Sequence, residues 1–95
     1  MNGKDPALIK RVVCEYTNES IDDLKAKCRL KERVYARHLI FYFLRKYTDL
    51  KLWEIGFTFG LRHDTALHGI RRIKNEMCYP EVRKDIEIIN QMILS

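Results

Sequence analysis

The run Leu39-Ile40-Phe41-Tyr42-Phe43-Leu44 is apolar on every side of a helix. Such a segment must be covered by other elements all round. At six residues it is far too short to cross a membrane, and no longer apolar run exists. It reads as the middle of a central helix, predicted over about Arg33 to Tyr47. A chain of 95 residues can enclose one core of this kind and not two, so a single domain over 1–95 is expected. Its two prolines and four glycines do not cluster, and strand-like alternation is hard to find. Helical spacing recurs throughout, which predicts an all-α fold of about six helices.

The remaining elements follow from caps and breakers. Asp5-Pro6 reads as an N-cap followed by proline at the first helical position. That helix runs to about Tyr16, with Leu8, Ile9, Val12, Val13 and Tyr16 on one side. Ser20 and Asp23 fit a capping box for a short helix from Ile21 to about Ala26. Thr48 or Asp49 is expected to cap a fourth helix from about Leu50 to Phe59, ended by Gly60. A fifth opens at His63 or Asp64 and continues to about Cys78. Pro80 starts a sixth, with Ile86, Ile89 and Ile93 as its buried stripe.

The fourth and fifth helices are joined by only three or four residues. So short a link forces a steep crossing, the helix-turn-helix arrangement. Gly56 lies inside the fourth helix, where glycine costs about 1 kcal/mol against alanine, so a close approach by the second helix is expected there. Phasing the fifth helix at 100° per residue puts Ala66, Leu67, Ile70, Ile73 and Met77 on the core side. Asp64, Thr65, His68, Arg71, Arg72 and Asn75 fall on the other. Those groups can hydrogen-bond base edges or phosphates: Arg reads guanine, Asn adenine, and Asp accepts from the cytosine amine. A merely solvated surface would look the same.

Charge tips that balance. Lys plus Arg is 18 against 13 Asp plus Glu, for a net charge of +5. Lys25, Lys27, Arg29, Lys31, Arg33 and Arg37 put six cations within thirteen residues, against Glu32. They form a cationic loop beside the helix-turn-helix, suited to phosphates or a minor groove. Double-stranded DNA is therefore the expected partner.

The residues also resemble a known family, the C-terminal DNA-binding domain (domain IV) of the bacterial replication initiator DnaA. The resemblance rests on Glu15-Tyr16, Ile21-Asp22-Asp23-Leu24, the basic loop, Ala36-Arg37, Leu52-Trp53-Glu54-Ile55-Gly56 and Phe59-Gly60. Its strongest part is His63-Asp64-Thr65-Ala66-Leu67-His68 followed by Arg71-Arg72-Ile73. It implies a Trp-repressor-like helix-turn-helix, with Arg62, His63, Asp64 and Thr65 reading bases in the major groove. Leu52 and Trp53 are then placed at the DNA backbone, and Lys27, Arg29, Arg33 and Arg37 at phosphates or in the minor groove; Lys31, of the same cationic run, joins them by its charge. His68, Arg71 and Arg72 complete the expected interface. Trp53, which stands where the family usually has proline, reads equally well as a core residue. The chain is one residue shorter than the family pattern between Phe59 and Leu67, so DNA binding carries over better than the family's usual box.

Other classes are disfavoured. Cys14, Cys28 and Cys78 are odd in number and far apart, as expected of free thiols. The N-terminus lacks a signal-peptide stretch, and the composition predicts a cytoplasmic, nucleoid-associated protein with no membrane partner. No Gly-x-x-x-x-Gly-Lys-Ser/Thr motif occurs, so no nucleotide and no ATPase activity are expected. His63 and His68 lack metal-ligand spacing with Cys78, and no cysteine and histidine form a catalytic pair, so neither cofactor, metal nor enzyme activity is expected. The alternative is a protein-interaction module with Met77, Tyr79 and the sixth helix exposed to other replication or regulatory proteins.

Overall fold

The computed structural model describes residues 3–25 and 30–95, so Ala26, Lys27, Cys28 and Arg29 lie outside the described residues. Six α-helices are found there and no strand: α1 (Pro6–Thr17), α2 (Ile21–Lys25), α3 (Lys31–Tyr47), α4 (Leu52–Phe57), α5 (His63–Glu76) and α6 (Pro80–Leu94).

Local chemistry explains most boundaries. The Asp5 carboxylate accepts the Ala7 N–H at 3.0 Å, and Pro6 opens α1. Asn18, at φ 59°, ends it in the left-handed region that asparagine tolerates. Ser20 Oγ accepts the Asp23 N–H at 3.1 Å and opens α2. Boundaries of three helices differ from expectation. Helix α3 starts two residues early, because the Leu30 carbonyl takes the Arg33 and Val34 N–H groups at 3.1 and 3.0 Å. Helix α4 is shorter at both ends. The Thr48 hydroxyl donates to the Leu44 carbonyl and accepts the Leu50 N–H at 3.3 Å, so it holds a turn after α3 and not the start of the next helix; Lys51 is the α4 N-cap, its N–H donating to Glu54 Oε1 at 2.9 Å. At the far end Phe59 and Gly60 donate to carbonyls three residues back, at 3.1 and 2.9 Å, which tightens the chain into a turn. Helix α5 likewise ends at Glu76, two residues before the expected Cys78.

The core gathers round α3. Leu39, Ile40, Phe41, Phe43 and Leu44 are buried, and only Tyr42 of the apolar run is half-buried. Helix α1 supplies Ile9, Val12 and Val13, α5 supplies Ala66, Ile70 and Ile73, and α6 its Ile86, Ile89 and Ile93 stripe. Leu67 and Met77, expected to face inward, are partly buried. Asp85 on α6 accepts hydroxyl hydrogen bonds from Tyr16 on α1 and Tyr35 on α3, at 2.5 and 2.8 Å. Cys14 and Cys78 are free thiols. No helix among the described residues is long and apolar enough to cross a membrane.

Candidate nucleic-acid interface

Helices α4 and α5 pack against each other across a turn that ends at Arg62, the α5 N-cap. Gly60 takes φ +68° in that turn, a conformation costly for side chains other than glycine. A Cβ at Gly56 would stand 2.7 Å from the Arg62 carbonyl oxygen and 2.8 Å from that of Leu61. The close approach expected at Gly56 is thus made by the turn's own backbone rather than by the second helix. The Leu61 N–H also donates to the Gly56 carbonyl at 2.9 Å. These contacts fix where α5 begins.

From that start, Arg62, His63, Asp64, Thr65, His68, Arg71, Arg72 and Asn75 are all exposed. Ala66, Gly69, Ile70 and Ile73 are buried beneath them. Asp64 Oδ1 accepts the Thr65 N–H at 3.0 Å and stands 3.7 Å from Arg62 Nε. Arg72 Nε donates to Glu76 at 3.0 Å, one turn on. Ion pairs this exposed are weak and readily exchanged for a ligand's anionic groups.

The cations before α3 divide. Lys31 is exposed and shares a groove of about 390 Å³ with Tyr35, His38, Arg72 and Glu76, so the head of α3 adjoins the outer side of α5. Arg33 is turned to Glu19 and Asp23 at 3.3 and 3.9 Å, and Arg37 donates to the Leu24 carbonyl at 3.2 Å. Both arginines therefore tie α2 to α3. Lys27 and Arg29 lie outside the described residues. Leu52 is half-buried against the core, whereas Trp53 is 60% exposed, which excludes the core reading of that residue. Among the described residues no three His, Cys, Asp or Glu side chains gather where a metal ion could be held.

One pair of residues escaped sequence reasoning. A Cβ at Gly69 would meet the His38 and Phe41 rings at 2.7 and 2.9 Å, so α5 lies flat against His38. The only sequence signal was an unexplained glycine within a good helix. The His38 ring sits edge-on to His68, 6.0 Å between centroids. Burial, and then the neighbouring His68, Arg72 and Arg37 charges against the opposing Glu76, push the His38 imidazole down to about 4. Between pH 6.5 and 4 the unfolded chain binds a proton that the folded chain refuses, so stability falls as pH drops through that window. Urea unfolding is expected to show a loss of about 1 kcal/mol from pH 7 to pH 5, allowing for the ring's partial contact with solvent. His38→Gln should remove most of that dependence; an unchanged slope would assign it elsewhere.

The family profile described as bacterial dnaA protein helix-turn-helix matches residues 6–73, which include α1 to α4 and most of α5. The chain belongs to the bacterial DnaA helix-turn-helix family. It is 36% identical over 87 residues to the chromosomal replication initiator protein DnaA of Thermoanaerobacter sp. strain X514, and equally so to that of Caldanaerobacter subterraneus subsp. tengcongensis. Those alignments cover 90% of this chain and 20% of each relative. The DnaA of Oleidesulfovibrio alaskensis is 41% identical over 69 residues, covering 73% of this chain and 15% of its own length. The chain thus spans about a fifth of the length of these DnaA relatives. Membership in the DnaA helix-turn-helix family implies DNA binding, in agreement with the exposed polar face of α5.

Proposed function

We propose that this domain docks on duplex DNA with a sequence preference, α5 entering the major groove and α4 supporting it. Arg62, His63, Asp64 and Thr65 touch bases; His68, Arg71 and Arg72 touch bases or phosphates; Leu52 and Trp53 lie at the backbone. Lys27, Arg29 and Lys31 supply sequence-independent attraction, with Arg33 and Arg37 holding their segment in place and adding positive potential. The observation that carries this reading is the groove shared by Lys31 and Arg72, which joins the cationic segment to the polar face of α5. The relatives' name attaches the proposal to chromosome replication: the domain would direct a replication or regulatory protein to its sites, within the nucleoid.

Selection from random duplexes tests the reading and yields the site. Thr65→Ala or Asp64→Ala is expected to relax preference at one base pair, by about 1–2 kcal/mol. Lys27→Ala or Arg29→Ala should weaken every sequence alike and flatten the plot of log affinity against log salt by about 0.9 for each phosphate no longer neutralised. Uniform losses from both classes would overturn this division of labour. The protein-interaction alternative rests on exposed Tyr79 and predicts weak, salt-insensitive DNA binding.

A further inference from the structure

Trp53 and Phe57 are 60% and 73% exposed, Phe57 more so than any other large apolar residue described. They lie four residues apart on α4 and so share one face, about 6 Å apart along the axis. The core explains neither, and Phe57 has no place in the duplex reading above. We infer that this aromatic pair is a stacking platform for unpaired bases of a single nucleic-acid strand.

Size and charge select that occupant. Two aromatic side chains exposed to this degree offer about 300 Å² of apolar surface. A stable protein partner needs about 800 Å² on each side, and the neighbours here are polar or small: exposed Lys51, half-buried Thr58 and exposed Gly60. One or two bases fit the smaller area. The setting suits a polyanion. Lys51 precedes the pair, and the Arg62 backbone packs on Gly56, the residue before Phe57. The Arg62 side chain is 83% exposed, paired only loosely with Asp64 at 3.7 Å. Glu54, the carboxylate between the aromatics in sequence, is half-buried and turns its Oε1 back to the Lys51 backbone N–H at 2.9 Å. Exposed rings together with cations that attract a backbone are the recurring design of sequence-tolerant single-strand sites, and Lys51 and Arg62 are the cations of the 51–62 segment.

Trp53 is the chain's only tryptophan, so its emission reports directly on the ridge. Titration with oligo-dT is expected to quench it, with an affinity that falls as salt rises. Phe57→Ala should weaken oligo-dT binding about 5- to 50-fold, the loss of one stacked base. Phe57→Tyr should restore it. The preferred duplex should bind Phe57→Ala within twofold of the parent, so this inference and the duplex reading can fail separately. An abasic strand of equal length should bind the parent no better than oligo-dT binds Phe57→Ala. The inference is overturned if oligo-dT leaves the emission unchanged, or if the abasic strand binds as well as oligo-dT. It also fails if Phe57→Ala weakens duplex and single strand equally, or if the emission shifts with protein concentration alone, which would mean a second copy covers the ridge.

Discussion

Gly56→Ala is expected to remove about 3 kcal/mol of stability and to disable site-preferring DNA binding. Alanine ordinarily favours a helix interior over glycine by about 1 kcal/mol, so propensity alone predicts the opposite sign. Packing decides it. The new methyl would sit 2.7 and 2.8 Å from two carbonyl oxygens, of Arg62 and Leu61. Both are backbone atoms of the turn, so no side chain can swing aside. Relief requires the turn to move, and with it the start of α5. Overpacking commonly costs about 1–3 kcal/mol, and an obstruction made of backbone belongs at the upper end. For a domain of this size that is a fall in Tm of more than about 10 °C. Gly60→Ala provides the comparison. Nothing lies within 4 Å of a Cβ there, so only the left-handed φ of +68° opposes the change, at about 1–2 kcal/mol. Melting both variants checks the ranking. If Gly60→Ala proves the more damaging, the contact at Gly56 does not govern the turn.

The same comparison shows what a sequence can disclose. The outer face of α5 was legible because its apolar residues keep helical phase, and the α6 stripe for the same reason. Gly56 was recognisable as a close approach, but which backbone approached it depends on how the turn folds back. Helix α4 starts later than cap chemistry suggests because Thr48, a good N-cap by type, accepts the Leu50 N–H in a turn that follows α3, and Lys51 takes the cap of α4. The cationic run was visible as charge. That Arg33 faces Glu19 and Asp23 while Lys31 faces the α5 groove depends on how α1, α2 and α3 pack, and formal charge cannot sort one from the other. His38 lay one residue before an apolar run and carried no mark of its contact with Gly69, thirty-one positions away.

Asp85→Ala is expected to destabilise the domain by about 3 kcal/mol while leaving DNA preference intact. Asp85 joins three elements: its two carboxylate oxygens accept from Tyr16 on α1 and Tyr35 on α3. A hydrogen bond to an ionised acceptor contributes about 1.5–3 kcal/mol, and the partial exposure of this site places each at the lower end. Asp85→Asn keeps one acceptor oxygen and loses the charge, so about half the effect should remain. The tyrosines register the same carboxylate. Hydrogen bonding to Asp85, then burial, pushes the Tyr16 hydroxyl up to about 12, and burial with the Asp85 bond raises Tyr35 further. Raised values mean that the folded chain keeps protons the unfolded chain releases. The stability tied to this cluster is therefore complete below about pH 10 and declines as pH climbs through 12. Denaturant unfolding at pH 7 and pH 11 separates the cases: the parent should lose stability between them and Asp85→Ala should lose less. Equal losses in both, or a cost at pH 7 below about 0.5 kcal/mol, would mean that the Asp85 hydrogen bonds do not hold α6, leaving its isoleucine stripe and the Tyr47–Asn90 hydrogen bond to do so.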